Sequence, residues 1–139
     1  MTMSVRNRIH LALAALAAFT AMAVSAQPRA DLGQREYKQN CASCHGLDGR
    51  GGGPFVEFLK RSPPDLTQLA KANKGVFPVL RAYEVIDGKG HGSRDMPVWG
   101  AAYAVRASEY YVDMPYDQEA FVRGRILALI EYLDRLQQK

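Results

Sequence analysis

The chain has 139 residues, with 18 Lys and Arg against 14 Asp and Glu, three His and two Cys. Its formal net charge of +4 is mild, and no basic run or interleaving of Arg with aromatics points to nucleic acid. The length suits one small domain.

The first residues have the layout of a secretory signal. Arg6 and Arg8 form a positive start, Ile9 to Val24 is almost wholly apolar and rich in Ala, and Val24-Ser25-Ala26 supplies small residues at a cleavage site. Cleavage is expected after Ala26, which leaves residues 27–139 as a single domain in the periplasm, with sixteen Lys and Arg against fourteen Asp and Glu. The rival is a retained anchor, but the apolar run is shorter than the roughly 20 residues that span a bilayer. No membrane span is expected after cleavage, and Gln27 at the new end does not suit a lipid anchor, which would need Cys there.

Residues 31–40 are expected to form a short helix, with Asp31 in its first turn and Gly33 as a point of close approach. From Gly46 to Gly53 five glycines in eight residues preclude a regular element. Pro54 suits the start of a helical turn, which Pro63 and Pro64 would break. "DLTQLAKAN" allows a short helix capped by Asp65 or Thr67, and "VFPVLRAYEVIDG" a longer one ending at Gly88. Residues 87–95 are irregular. The last helix is the clearest in the chain: Phe121, Val122, Ile126, Leu129, Ile130, Leu133 and Leu136 recur at three- and four-residue spacing. Gly124 within it is a mild cost or a second close-contact point. No strand pairing is evident. The expectation is a small all-α, loop-rich domain whose core needs a staple, a metal or a cofactor.

Both thiols fall in Cys41-Ala42-Ser43-Cys44-His45. Export permits a disulfide. A redox dithiol would sit at a helix start after a strand, a context missing here. Zinc bound by Cys41, Cys44, His45 and His91 would need adjacent residues to act as independent ligands. Covalent haem attachment uses the same adjacency: two thiols add to the haem vinyl groups and the next His reaches the iron. This last reading suits an exported, helical, core-poor chain best, with one haem c as cofactor.

On these residues the chain resembles a class I c-type cytochrome of the bacterial periplasmic, mono-haem kind. The shared features are the Gly33/Tyr37 helix leading into the Cys41–His45 motif, the Gly-Pro segment after it, Met96-Pro97-Val98-Trp99-Gly100, and the terminal helix with "IEYLDRL". The resemblance implies that the first and last helices cross, with Gly33 and Tyr37 against Leu129, Tyr132 and Leu133. It also implies a proline carbonyl as acceptor for His45, with Pro54 the best match and Pro64 the alternative. Trp99 is expected to pack on the haem or bond a propionate, a role open also to Lys60, Arg81, Tyr83 and Arg94.

The sixth iron ligand remains a choice among Met96, Met114 and His91. Met96 sits in an irregular segment able to wrap a flat cofactor and is preferred, so His45 and Met96 are the expected axial pair. Residues 101–117 would then be an insertion ahead of the last helix, where the chain departs from the shortest members of the family it resembles. With both positions filled, the protein is expected to be a single-electron carrier between redox protein donors and acceptors rather than an enzyme. Residues 49–100 hold eight basic and five acidic side chains, compatible with a weakly basic docking face. Two other readings stay open. One is a tightly bound cytochrome subunit of a larger oxidoreductase, with Tyr103, Tyr110, Tyr111 and Tyr116 at the interface; the other is a haem enzyme or gas sensor with a displaceable ligand.

Overall fold

The structure, a computed structural model, describes residues 31–89 and 95–138. The signal-like segment and His91 lie outside the described residues. Among those described there is no strand, and no helix is long and apolar enough to cross a membrane.

Helix α1 spans Leu32–Asn40, and Asp31 caps it by accepting a hydrogen bond from the Gln34 N–H at 3.0 Å. A short helix α2, Ala42–His45, follows at once. The segment from Pro54 forms only a 3-10 turn at Val56–Phe58. Asp65 caps a second such turn, Leu66–Gln68, by accepting from the Thr67 N–H and hydroxyl, and α3, Leu69–Ala72, continues from it. Helix α4, Val79–Asp87, ends at Gly88 in the left-handed region (φ 104°). Helix α5 is Trp99–Tyr110, and α6, capped by Asp117, is Gln118–Arg135.

The spacing of apolar residues in α6 explains the core. Ile126, Leu129, Ile130, Tyr132 and Leu133 are buried on one side of it, with Tyr37 of α1 and Tyr103 of α5 fully buried against them. Helices α1 and α6 cross where Gly33 lies on the Ala128 backbone, and the Tyr37 and Tyr132 rings meet at 5.2 Å beside the crossing. Gly124 has nothing near the position its Cβ would take, so it is no contact point and only costs helix propensity.

The all-α expectation holds. Of residues 101–117, expected as an insertion, the stretch 101–110 belongs to helix α5. "WGAAYAVRASEY" is rich in Ala and places Trp99, Tyr103 and Ala107 four apart, which is enough to form a helix with one buried stripe. Only residues 111–117 form a connection between helices.

The chain's end is fastened across α3. Gln137 donates to the Leu66 carbonyl and accepts from the Ala70 N–H, both at 2.8 Å, while the Gln138 N–H reaches the Thr67 carbonyl at 3.0 Å. These bonds hold the 63–70 segment against the end of α6, alongside the motif helix α2.

Candidate cofactor site

Cys41 is the junction between α1 and α2. Its N–H donates to the Tyr37 carbonyl, and its own carbonyl accepts from the His45 N–H, both at 2.9 Å. In such a turn residues i, i+3 and i+4 share a side, so Cys41, Cys44 and His45 all face one cavity. The cavity measures about 460 Å³, in the range of small-molecule and cofactor sites. Its lining is mostly apolar, drawn from α4, from Leu66 and Leu69, and from Leu129 and Leu133 of α6. Met96 and Trp99 line it as well.

The glycine loop shapes one border. The last carbonyls of α2 would be left without intrahelical partners, and the loop supplies them: Phe55 N–H to Ser43 at 2.9 Å, Gly53 N–H to Cys44 at 3.0 Å, and Gly51 N–H to His45 at 2.8 Å. This return needs the backbone itself in contact, for a Cβ at Gly53 would stand 2.3 Å from the Ser43 carbonyl oxygen. The Leu66 N–H then bonds the Gly49 carbonyl at 2.8 Å, which draws the Pro63-Pro64 segment up to the cavity.

Of the two prolines expected as acceptor for His45, Pro54 is exposed and does not line the cavity, whereas Pro64 does. The carbonyl acting on the His45 ring is that of Pro64. His45 Nδ1 is buried and completes no hydrogen bond, so the Pro64 contact is electrostatic support rather than a formed bond. Burial is the larger influence and holds the His45 pKa below its ordinary value, with Pro64 opposing it. A neutral imidazole, the form that ligates metals, is thereby favoured.

Cys41 and Cys44 are not bonded to each other. Burial first, then the nearby Glu36 charge and Cys44, push the Cys41 thiol up to about 12, so it is a neutral thiol. Among the described residues no cluster of three or more His, Cys, Asp or Glu could hold a metal ion by itself.

The two methionines separate cleanly. Met96 is half-buried on the cavity, whereas Met114 is 66% exposed on the 111–117 connection and does not line it. Close packing fixes where Met96 is delivered. A Cβ at Gly100 would stand 2.3 Å from Asp87 Oδ1, and one at Gly88 2.4 Å from Val98 Cγ1. The end of α4 and the start of α5 are therefore clasped together, with the Met96 segment between them in sequence.

Of the other expected contacts, Trp99 and Arg81 line the cavity, while Lys60 and Tyr83 do not; Arg94 lies outside the described residues. Asn40 and Arg61 also line it and were not foreseen. Nor was Glu36, which is 1% exposed and held by Arg106, Arg125 and Asn40. One signal for it existed: Arg125 interrupts the apolar side of α6, a position that calls for a buried acid.

The family described as Cytochrome C oxidase, cbb3-type, subunit III matches residues 28–110, from ahead of α1 to the end of α5. No curated protein and no solved structure matches the chain. The match covers more than half of the chain and contains the two cysteines, His45, Met96 and Trp99. The chain therefore belongs to this family: it is a c-type cytochrome with an all-α fold, and its chemistry is haem-based electron transfer.

Proposed function

We propose that the mature chain is a periplasmic, mono-haem electron carrier of the class I kind. Cys41 and Cys44 form the thioether links to one haem c, and His45 and Met96 are its axial ligands. The observation that carries this reading is a single apolar cavity lined by Cys41, Cys44, His45, Met96 and Trp99. The residues fit the group: two unbridged thiols could link to it covalently, while an imidazole biased toward its neutral form and a thioether could ligate its iron.

When bound, the haem supplies the one-electron couple. The chain's own residues exclude water with the leucines of α6 and keep His45 neutral. They also present cationic Arg61 and Arg81 at the cavity lining, where a propionate would find a partner. If His45 and Met96 both held the iron, no position would remain there for a substrate, which is why a carrier is preferred to an enzyme.

The test is the alkaline pyridine haemochrome of protein made with haem-attachment machinery. One haem per chain with the spectrum of a doubly thioether-linked haem is expected, and Cys41→Ala or Cys44→Ala should shift that spectrum. Haem that extracts into acidic organic solvent would contradict the reading.

A second reading has its own support: stable association with a larger oxidase subunit. The family description is that of an oxidase subunit. The 110–121 corner stacks Tyr111 on Tyr116 at 5.0 Å and sets Tyr110 and Tyr111 against Phe121, with Tyr110, Val112 and Met114 largely exposed. Aromatic and Met side chains are enriched at protein interfaces. Size after gentle isolation from the native host separates the readings. A free carrier elutes alone, and a subunit elutes with its partner.

A further inference from the structure

Glu36 is a carboxylate in the interior, a place where acids are rarely found unless paired. Three side chains from three helices meet it. Asn40 on its own helix α1 donates at 2.9 Å to Oε2, Arg106 on α5 reaches the same oxygen at 3.3 Å, and Arg125 on α6 pairs with Oε1. The Arg125 link reinforces a crossing already closed by Gly33 on Ala128 and Tyr37 on Tyr132, and it meets α5 only at its far end, 6.0 Å over the Tyr110 ring. Arg106 is different, because it ties α1 to the part of α5 that leads back to Trp99.

Helix α5 carries a chain of contacts back toward the cavity. The Arg106 guanidinium lies 5.7 Å over the Tyr103 ring, and the Tyr103 ring lies 6.1 Å from Trp99. Trp99 is the first residue of α5, lines the cavity, and follows Met96 by three positions. No side chain caps this start of α5, which therefore depends on packing for its position. The Tyr103 hydroxyl is buried beside Glu36 and interacts with its carboxylate without completing a hydrogen bond, a weaker contact between the same two helices.

We propose that Glu36 is a positioning residue: by drawing Arg106 onto α1 it seats α5, and with it the Met96–Trp99 segment, at the cavity. The consequence for Met96 as an iron ligand rests on the axial assignment proposed above; the seating of α5 does not. Coupling of this kind has to be shown by double mutants rather than by proximity.

The experiment compares haem-loaded wild type with Glu36→Gln, Arg106→Gln, Arg125→Gln and the Glu36→Gln/Arg106→Gln double variant. It reads carbon monoxide binding to the reduced protein, and amide hydrogen exchange at Ala102 and Tyr103 in the first turns of α5. Glu36→Gln and Arg106→Gln are each expected to raise both at least about tenfold, the double variant no more than the larger single effect. Arg125→Gln is expected to lower the melting temperature without opening the site. Arg106 is one-third exposed, so its variant is expected to fold even if Glu36→Gln does not.

Unchanged exchange and carbon monoxide binding in Arg106→Gln would overturn the proposal. So would an equal rise in all three single variants, which would mean general loosening. If the wild type lacks the far-red sulfur-to-iron band, the Met96 assignment fails instead. The exchange rates then decide alone: a tenfold rise confined to the Glu36 and Arg106 variants supports the seating role, and no rise overturns it.

Discussion

Gly33 of α1 meets the Ala128 backbone of α6 so closely that a Cβ at position 33 would stand 1.9 Å from the Ala128 carbonyl oxygen. Neither backbone can give way without parting the helices, and Tyr37, Leu129 and Leu133 line the cavity from beside that crossing. Gly33→Ala should therefore destabilise the protein by about 2–4 kcal/mol, at the upper end for single substitutions. Denaturant unfolding of the haem-loaded protein measures this, with reduced yield of loaded protein as a companion result.

Tyr37 links the crossing to the motif, because its hydroxyl donates to the Gly46 carbonyl at 2.7 Å in a buried site. Tyr37→Phe keeps the ring against Tyr132 but leaves that carbonyl only the Gly49 N–H, at 3.3 Å. A loss of about 0.5–1.5 kcal/mol is expected, read as a lower midpoint with an unchanged denaturant slope.

The glycine loop offers a matched pair. Gly53→Ala drives a methyl group into the Ser43 carbonyl and should cost at least about 2 kcal/mol, with loss of the bonds that close α2. At Gly52 a Cβ would meet nothing within 4 Å, so Gly52→Ala should stay within about 0.5 kcal/mol of wild type. Thermal melts of the two variants side by side check the contrast.

These cases show what the sequence made legible. The α6 periodicity, the Asp65 cap and the Gly88 stop could all be read, because each depends on residues close together in the chain. The Cys41–His45 motif belongs with them, whereas the Gly33 crossing with α6 was implied only by the family resemblance. Helix α5 was missed because its signal is weak: a narrow apolar stripe, without a capping side chain, next to a glycine-rich stretch. Glu36 was missed because its partners lie 70 and 89 positions away, and nothing local distinguishes a buried acid from a solvated one. Pro54 was preferred to Pro64 by spacing from His45. The Leu66–Gly49 backbone bond draws Pro64 up to the His45 ring, a contact that belongs to the folded loop and not to the spacing.

Asp31 provides a pH dependence. The Gln34 N–H, followed by Arg135, holds its carboxyl below the ordinary value of 3.8. A group whose folded pKa is depressed contributes stability that is present above the unfolded value and lost as pH falls through the folded one. Asn still caps a helix, so Asp31→Asn removes the charge alone. The variant should melt below wild type at neutral pH, and the gap should close progressively below about pH 4. Melting curves across that range test the sign.

The measurement that bears most directly on the central claim is the optical spectrum of haem-loaded mature protein, oxidised and reduced, beside a Met96→Ala variant. The account expects the oxidised wild type to show the weak far-red sulfur-to-iron band and the variant to lose it. A wild type without that band, or a variant that keeps it, would contradict His45/Met96 ligation and with it the closed-site carrier.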